Sequence, residues 1–172
     1  MSNTKKMTVS GLCLALCLLL PFLTGQIQKI GNMLCPMHLP VLLCGMICGW
    51  PWGLAVGAVA PLLRSVLWGM PPMLVAIAMA FELAVYGLVT GLMFPRTKQD
   101  LKGIYMALVI AMVAGRLVWG AVRFVMAGLS GSAFPMSAFL SGAVLTAWPG
   151  IVLQLILVPA MIRALQKSGQ LK

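Results

Sequence analysis

The chain has 172 residues, 62% of them hydrophobic and only 8% charged, with a mean hydropathy of +1.05. Soluble domains carry about 25% charged residues, so the composition excludes an ordinary soluble protein and leaves no room for a separate soluble domain. The net charge of +10 would suggest nucleic acid in a soluble chain. Here the inside bias of basic residues in membrane proteins absorbs it first, and no nucleic-acid partner is expected.

Runs of about 18 or more apolar residues cross hydrocarbon as helices, which satisfy their own backbone there. The alternating segments of a transmembrane barrel are absent. The first segment is 7–24, preceded by Lys5 and Lys6. This start resembles a signal peptide, but no clear small-x-small site follows and no cleavage is expected. A more polar connector, 25–37, leaves the hydrocarbon. The second segment, 38–50, and the third, 54–68, flank the turn GWPWG at 49–53; both are short for a perpendicular span. GMPP at 69–72 breaks the chain before the fourth segment, 73–94. PRTKQDLKG at 95–103 is the most polar interior stretch. The fifth segment is 104–128, a Ser/Gly loop covers 129–135, and the sixth segment is 136–165.

The reading is an all-α, six-helix transmembrane bundle forming one domain over 1–172. An N-terminus inside gives the inner face Lys5, Lys6, Arg96, Lys98, Lys102, Arg163, Lys167 and Lys172, and the outer side Lys29 and Arg64. That asymmetry predicts both termini in the cytoplasm. The five cysteines include two i, i+4 pairs, Cys13/Cys17 and Cys44/Cys48. They read as small buried apolar residues, and their odd number argues against a disulfide framework.

The chain has two acids, and one of them, Glu82, lies inside the fourth segment. An intramembrane charge faces the bundle or a water-filled cavity and has a partner. At 1.5 Å per residue, Glu82 lies roughly 15 Å below the outer end of its segment, and Arg116 roughly 18 Å above the inner end of the fifth. The two are predicted to pair, either to fix helix register or to meet a ligand. Arg123, on the same face as Arg116 and about 10 Å further out, has no acid left to pair with. Arg64 ends its segment on the outer side. These two arginines either snorkel to headgroups or complement a ligand anion. Asn32 and His38 flank the outer entrance; Tyr86, Trp119 and Trp148 supply aromatic walls of the kind found in ligand pockets.

No phosphate-binding GxxxxGK[ST] loop occurs. Two acids and one histidine provide no carboxylate pair, metal triad or nucleophile set. An enzyme is not expected, nor is a bound cofactor or metal. The internal Met37-His38 pair is a poor metal site. A chain of titratable groups for proton coupling is also missing, so energy for transport would come from a partner.

The six-segment layout, PMHLPVLLCGMICGWPWGLAVGAVAPLLRSVLWGMPP at 36–72, AFELAVYGLVTGL at 80–92 and the GR…WG element at 115–120 resemble the S components of energy-coupling factor (ECF) vitamin transporters. These are membrane subunits that capture substrate. The resemblance implies a small vitamin-like substrate, a membrane-embedded T component and two cytoplasmic ATPases that use ATP, all at a bacterial plasma membrane. It maps substrate binding onto Asn32, His38, Arg64, Glu82, Tyr86, Arg116, Trp119, Arg123 and Trp148, with 25–37 as a lid. It also places Gly11 and Ala15, within SGLCLA, on the T component; small residues four apart allow close helix approach. The other possibility for these two is packing within the bundle. The outer arginines favour an anionic vitamin, pantothenate first, then lipoate or a pyridoxine or pyrimidine precursor. A stand-alone secondary carrier and a non-transport membrane assembly protein are the alternatives.

Overall fold

A computed structural model describes residues 2–23, 34–131 and 135–169. Among them there is no strand. The helices are α1 (Asn3–Leu23), α2 (His38–Cys48), α3 (Trp50–Trp68), α4 (Met73–Met93), α5 (Leu101–Leu129), the short α6 (Met136–Leu140) and α7 (Trp148–Lys167). Helices α1, α3, α4, α5 and α7 are each long and apolar enough to cross a membrane. Their outward faces expose Leu12, Leu19, Val66, Leu74, Leu117 and Ile156, a surface suited to lipid.

Two segment boundaries differ from the sequence reading. The third segment is not short: α3 begins at Trp50, inside the expected turn, and runs for 19 residues. Pro51 falls in its first turn, where a missing N–H costs nothing. The whole α2–α3 connection is then Gly49, at φ 95° and ψ 172°, a conformation open essentially to glycine alone. The sixth segment is not one helix either. α6 passes into a π-helical stretch, Ser141–Leu145, then a turn, and α7 starts at Trp148 with proline in its first turn.

Helices α2, α3 and α4 approach at backbone distance. A Cβ on Gly53 would lie 2.7 Å from Gly45 Cα and 2.7 Å from Gly87 O. One on Gly57 would strike the backbone of Leu83, and one on Gly91 the backbone of Trp50. Glycine spacing, not side-chain bulk, sets these separations. α1 covers the outer side of this trio antiparallel to α2, through weak thiol contacts. Cys17 Sγ donates to Met37 O at 3.5 Å, Cys44 Sγ to Ser10 Oγ at 3.5 Å and Cys48 Sγ to Lys6 O at 3.6 Å. The five cysteines are free and buried.

α5 packs on α4, and α7 lies against α2 and α5. The second acid, Asp100, caps α5 by accepting from Gly103 N at 2.7 Å, the usual use of an aspartate at a helix start. Gln166 Nε2 donates to Gln99 O at 2.8 Å, tying the end of α7 to the α4–α5 loop.

Gly87→Ala should cost about 1–3 kcal/mol or more, as overpacking does, because its Cβ would strike Gly53 backbone. Gly11→Ala, whose Cβ meets nothing within 4 Å, should leave stability unchanged. Thermal unfolding in detergent would compare the two.

Candidate functional site

Glu82 sits in the third turn of α4 and is 1% exposed. Three side chains converge on one of its oxygens. Arg116 Nη1 of α5 lies 3.0 Å from Oε1. Tyr86, one turn along α4, donates its hydroxyl to Oε1 at 3.1 Å. His38, the first residue of α2, brings Nε2 to 3.4 Å from the same oxygen. The His38 ring stands edge-on to Tyr86, centroids 5.2 Å apart. Arg116 Nη2 donates to Cys35 Sγ at 3.7 Å. A carboxylate so buried is tolerable only with an opposite charge and hydrogen bonds around it, and this one has both. The predicted Glu82–Arg116 pair is present, extended to His38, Tyr86 and Cys35.

Backbone geometry makes the cluster possible. Gly115, one residue before Arg116, lies where any Cβ would strike the Tyr86 ring, so only glycine lets that ring lie flat on α5. Tyr86 and Glu82 share a helix face at i, i+4.

The structure redistributes several of the other expected residues. His38 is not at an entrance: it is 2% exposed and inside the bundle. α2 has only 11 residues, about 16 Å, so it starts halfway down the bundle. Just before it Cys35 and Met37 are buried, correcting the expectation that the whole connector leaves the hydrocarbon. Arg64 is 3% exposed and committed to α1. Its Nη1 donates to Leu18 O at 2.7 Å, and its guanidinium lies 5.0 Å from the Phe22 ring and 5.8 Å from that of Trp68. A planar guanidinium serves such a combined hydrogen bond and ring contact well.

Trp119 lies one turn beyond Arg116 and faces Phe139 of α6, ring centroids 6.3 Å apart with planes at 29°. Gly120 gives Phe139 room and Gly142 gives Trp119 room. Arg123 is half-buried, two turns along α5 from Arg116. Trp148 is 58% exposed at the start of α7 and is not drawn into the cluster. Asn32, and most of the expected lid, lie outside the described residues. Gly11 and Ala15 are exposed on the outward face of α1, so they do not pack within the bundle.

The sequence reading passes over Gln154 and Phe139 and takes Cys35 only as a small buried apolar residue. Gln154 is 1% exposed in the middle of α7. The sign was available: a lone polar residue inside IVLQLILV resembles Glu82 inside its own apolar run. Among the described residues, no group of three His, Cys, Asp or Glu side chains is placed to hold a metal.

A family model described as "ECF transporter, substrate-specific component" matches residues 5–162. The chain belongs to this family. No match was found among curated proteins or among solved structures. As an ECF substrate-specific component, the protein is a multi-pass membrane subunit that binds substrate for an importer. Members of this family work with a T component and ATPases.

In this S component Arg116→Met should cost about 3–5 kcal/mol, because it strands a buried carboxylate. Combining it with Glu82→Gln should recover part of that loss. Thermal unfolding of the two single variants and the double variant would give the coupling.

Proposed function

We propose that the protein captures a vitamin-like organic micronutrient from the outer side of a bacterial plasma membrane. It then delivers the molecule inward with a T component and two ATPases, which supply the energy from ATP. Its termini face the cytoplasm, consistent with the excess of basic residues at 5, 6, 96, 98, 102, 163 and 167. The ligand site lies among α2, α4, α5 and α7, with His38, Glu82, Tyr86, Arg116 and Trp119 at its base and Arg123 towards its mouth.

The observation that carries this reading is the Glu82 cluster itself. It gathers a carboxylate, a guanidinium, an imidazole and a phenol at mid-bundle in a chain whose family captures substrates. Polar groups at this depth are expensive and mark substrate pathways. An anionic cargo such as pantothenate was favoured by two outer arginines. With Arg64 bound to α1, that preference loses one of its two supports.

The outward-facing Gly11 and Ala15 suit a close helix contact with the T component. Ala15→Trp should abolish co-purification with the T component and ATPases yet leave ligand binding intact.

The reading is tested with purified protein and a panel of vitamins, followed by tryptophan fluorescence and thermal shift. Nanomolar binding is expected, raising the unfolding temperature by mass action. In vesicles, uptake should require ATP, the T component and both ATPases. Ion-driven uptake by the protein alone would instead identify a carrier. Absence of any ligand or transport partner would leave a membrane assembly protein.

A further inference from the structure

The Glu82 cluster contains polar atoms that its own residues do not satisfy. Among the described residues, His38 Nδ1 and Nε2, Arg116 Nε and, on α7, Gln154 Oε1 are buried without a hydrogen-bond partner; so is Gln166 Oε1, at the end of α7 away from the cluster. His38 Nε2 is close enough to Glu82 for a charge contact, at 3.4 Å, but off the geometry of a hydrogen bond. Native interiors hold few such atoms, and each needs an explanation.

His38, Arg116 and Gln154 share a level with Glu82. Counted from the helix ends nearest the chain termini, His38, Glu82, Arg116 and Gln154 lie about 15–22 Å along α2, α4, α5 and α7. Those ends are brought together by the Cys48–Lys6 and Gln166–Gln99 contacts. α7, which carries Gln154, packs against both α2 and α5. The unsatisfied atoms of His38, Arg116 and Gln154 therefore belong to one polar layer, and a single ligand entering that layer accounts for them together.

The donor and acceptor pattern narrows what the ligand is. Gln154 Oε1 only accepts, and Arg116 Nε only donates. His38 has two ring nitrogens, at least one of them a donor. Tyr86, Arg116 and His38 all meet Glu82 at Oε1, so none of these contacts uses Oε2, a further acceptor. The charges of Glu82 and Arg116 cancel. A carboxylate group brings acceptors alone: placed in this layer it would suit Arg116 Nε but set like polarity against Gln154 Oε1 and the Glu82 carboxylate. The walls are flat, with His38 edge-on to Tyr86 and Trp119 near-parallel to Phe139. Aromatic walls of this kind favour a planar ring.

Resting on the capture reading above, we propose that the site selects an uncharged, planar nitrogen heterocycle. The ligand carries amino or ring N–H donors beside ring-nitrogen or carbonyl acceptors. Gln154 and Glu82 receive its donors, and Arg116 and His38 serve its acceptors. This class differs from the carboxylate that the outer arginines alone suggested.

The test begins with the full chain solubilised from membranes and mass spectrometry of any small molecule it retains. Matched probes, nicotinamide against nicotinate and uracil against orotate, are then titrated by tryptophan fluorescence. A neutral heterocycle should be retained, and the neutral member of each pair should bind more tightly. Gln154→Leu should weaken binding by about 10–100-fold, the loss of one buried hydrogen bond. The same change removes an unsatisfied oxygen, so the ligand-free protein should unfold at an unchanged or higher temperature. A retained carboxylate whose affinity survives Gln154→Leu would overturn the substrate class while leaving capture intact. A folded protein that retains nothing and binds no vitamin would overturn the capture reading, and this inference with it.

Discussion

A single buried carboxylate organises this bundle. Glu82 is 1% exposed in a chain with one other acid, and a lone charge there would be prohibitive in hydrocarbon. Its neutralisation dictates neighbouring geometry. Arg116 must come within 3.0 Å, which fixes the register of α5 on α4. Tyr86 must fold its hydroxyl back one turn, and Gly115 must leave space for the ring to do so. His38 must reach in from the start of α2, which draws Cys35 and Met37 into the interior. These are separate sequence features with one physical cause.

The packing around that charge is uneven. On one side α2, α3 and α4 touch through backbone at Gly45, Gly53, Gly57, Gly87 and Gly91. Such contacts have no side-chain freedom to adjust, so this trio behaves as one block. On the other side, α5 meets α6 and the π-helical stretch through large rings, Trp119 on Phe139, with Gly120 and Gly142 opposite. π-helical turns recur at functional sites because they interrupt regular hydrogen bonding where a special geometry is needed. The polar layer thus has a stiff wall and an irregular one. Side chains held on the stiff wall are the more precisely placed of the two sets.

Much of this was legible in the sequence, for reasons that differ from residue to residue. Glu82 and Arg116 could be paired because helix rise converts residue counts to depth, and few charges compete. The α4 boundaries followed from Pro72 and the polar 95–103 stretch. α3 was misjudged because GWPWG looks like a turn, whereas proline in a first helical turn is compatible with continuing helix. The break between α6 and α7 was hidden, since hydropathy does not distinguish a π-helical stretch from an α-helix. His38 was placed too far out because the shortness of α2 was read as poor spanning. Its true consequence is that α2 begins at mid-bundle.

Arg64 and Arg116 show why counting charges did not suffice to infer a ligand. Both are arginines in apolar segments; from sequence Arg64 reads as open to an anion and Arg116 as the partner of Glu82. One is held by a carbonyl of α1 between two rings; the other is held by Glu82 and a thiol. What a buried site offers is set by the donors and acceptors left after internal partners are assigned. By that measure the layer is neutral and mixed, with Gln154, which carries no charge and drew no notice, as its clearest open acceptor. The proposed partner face on α1, around Gly11 and Ala15, points away from this layer, because α1 packs on α2 and α3 with its other side.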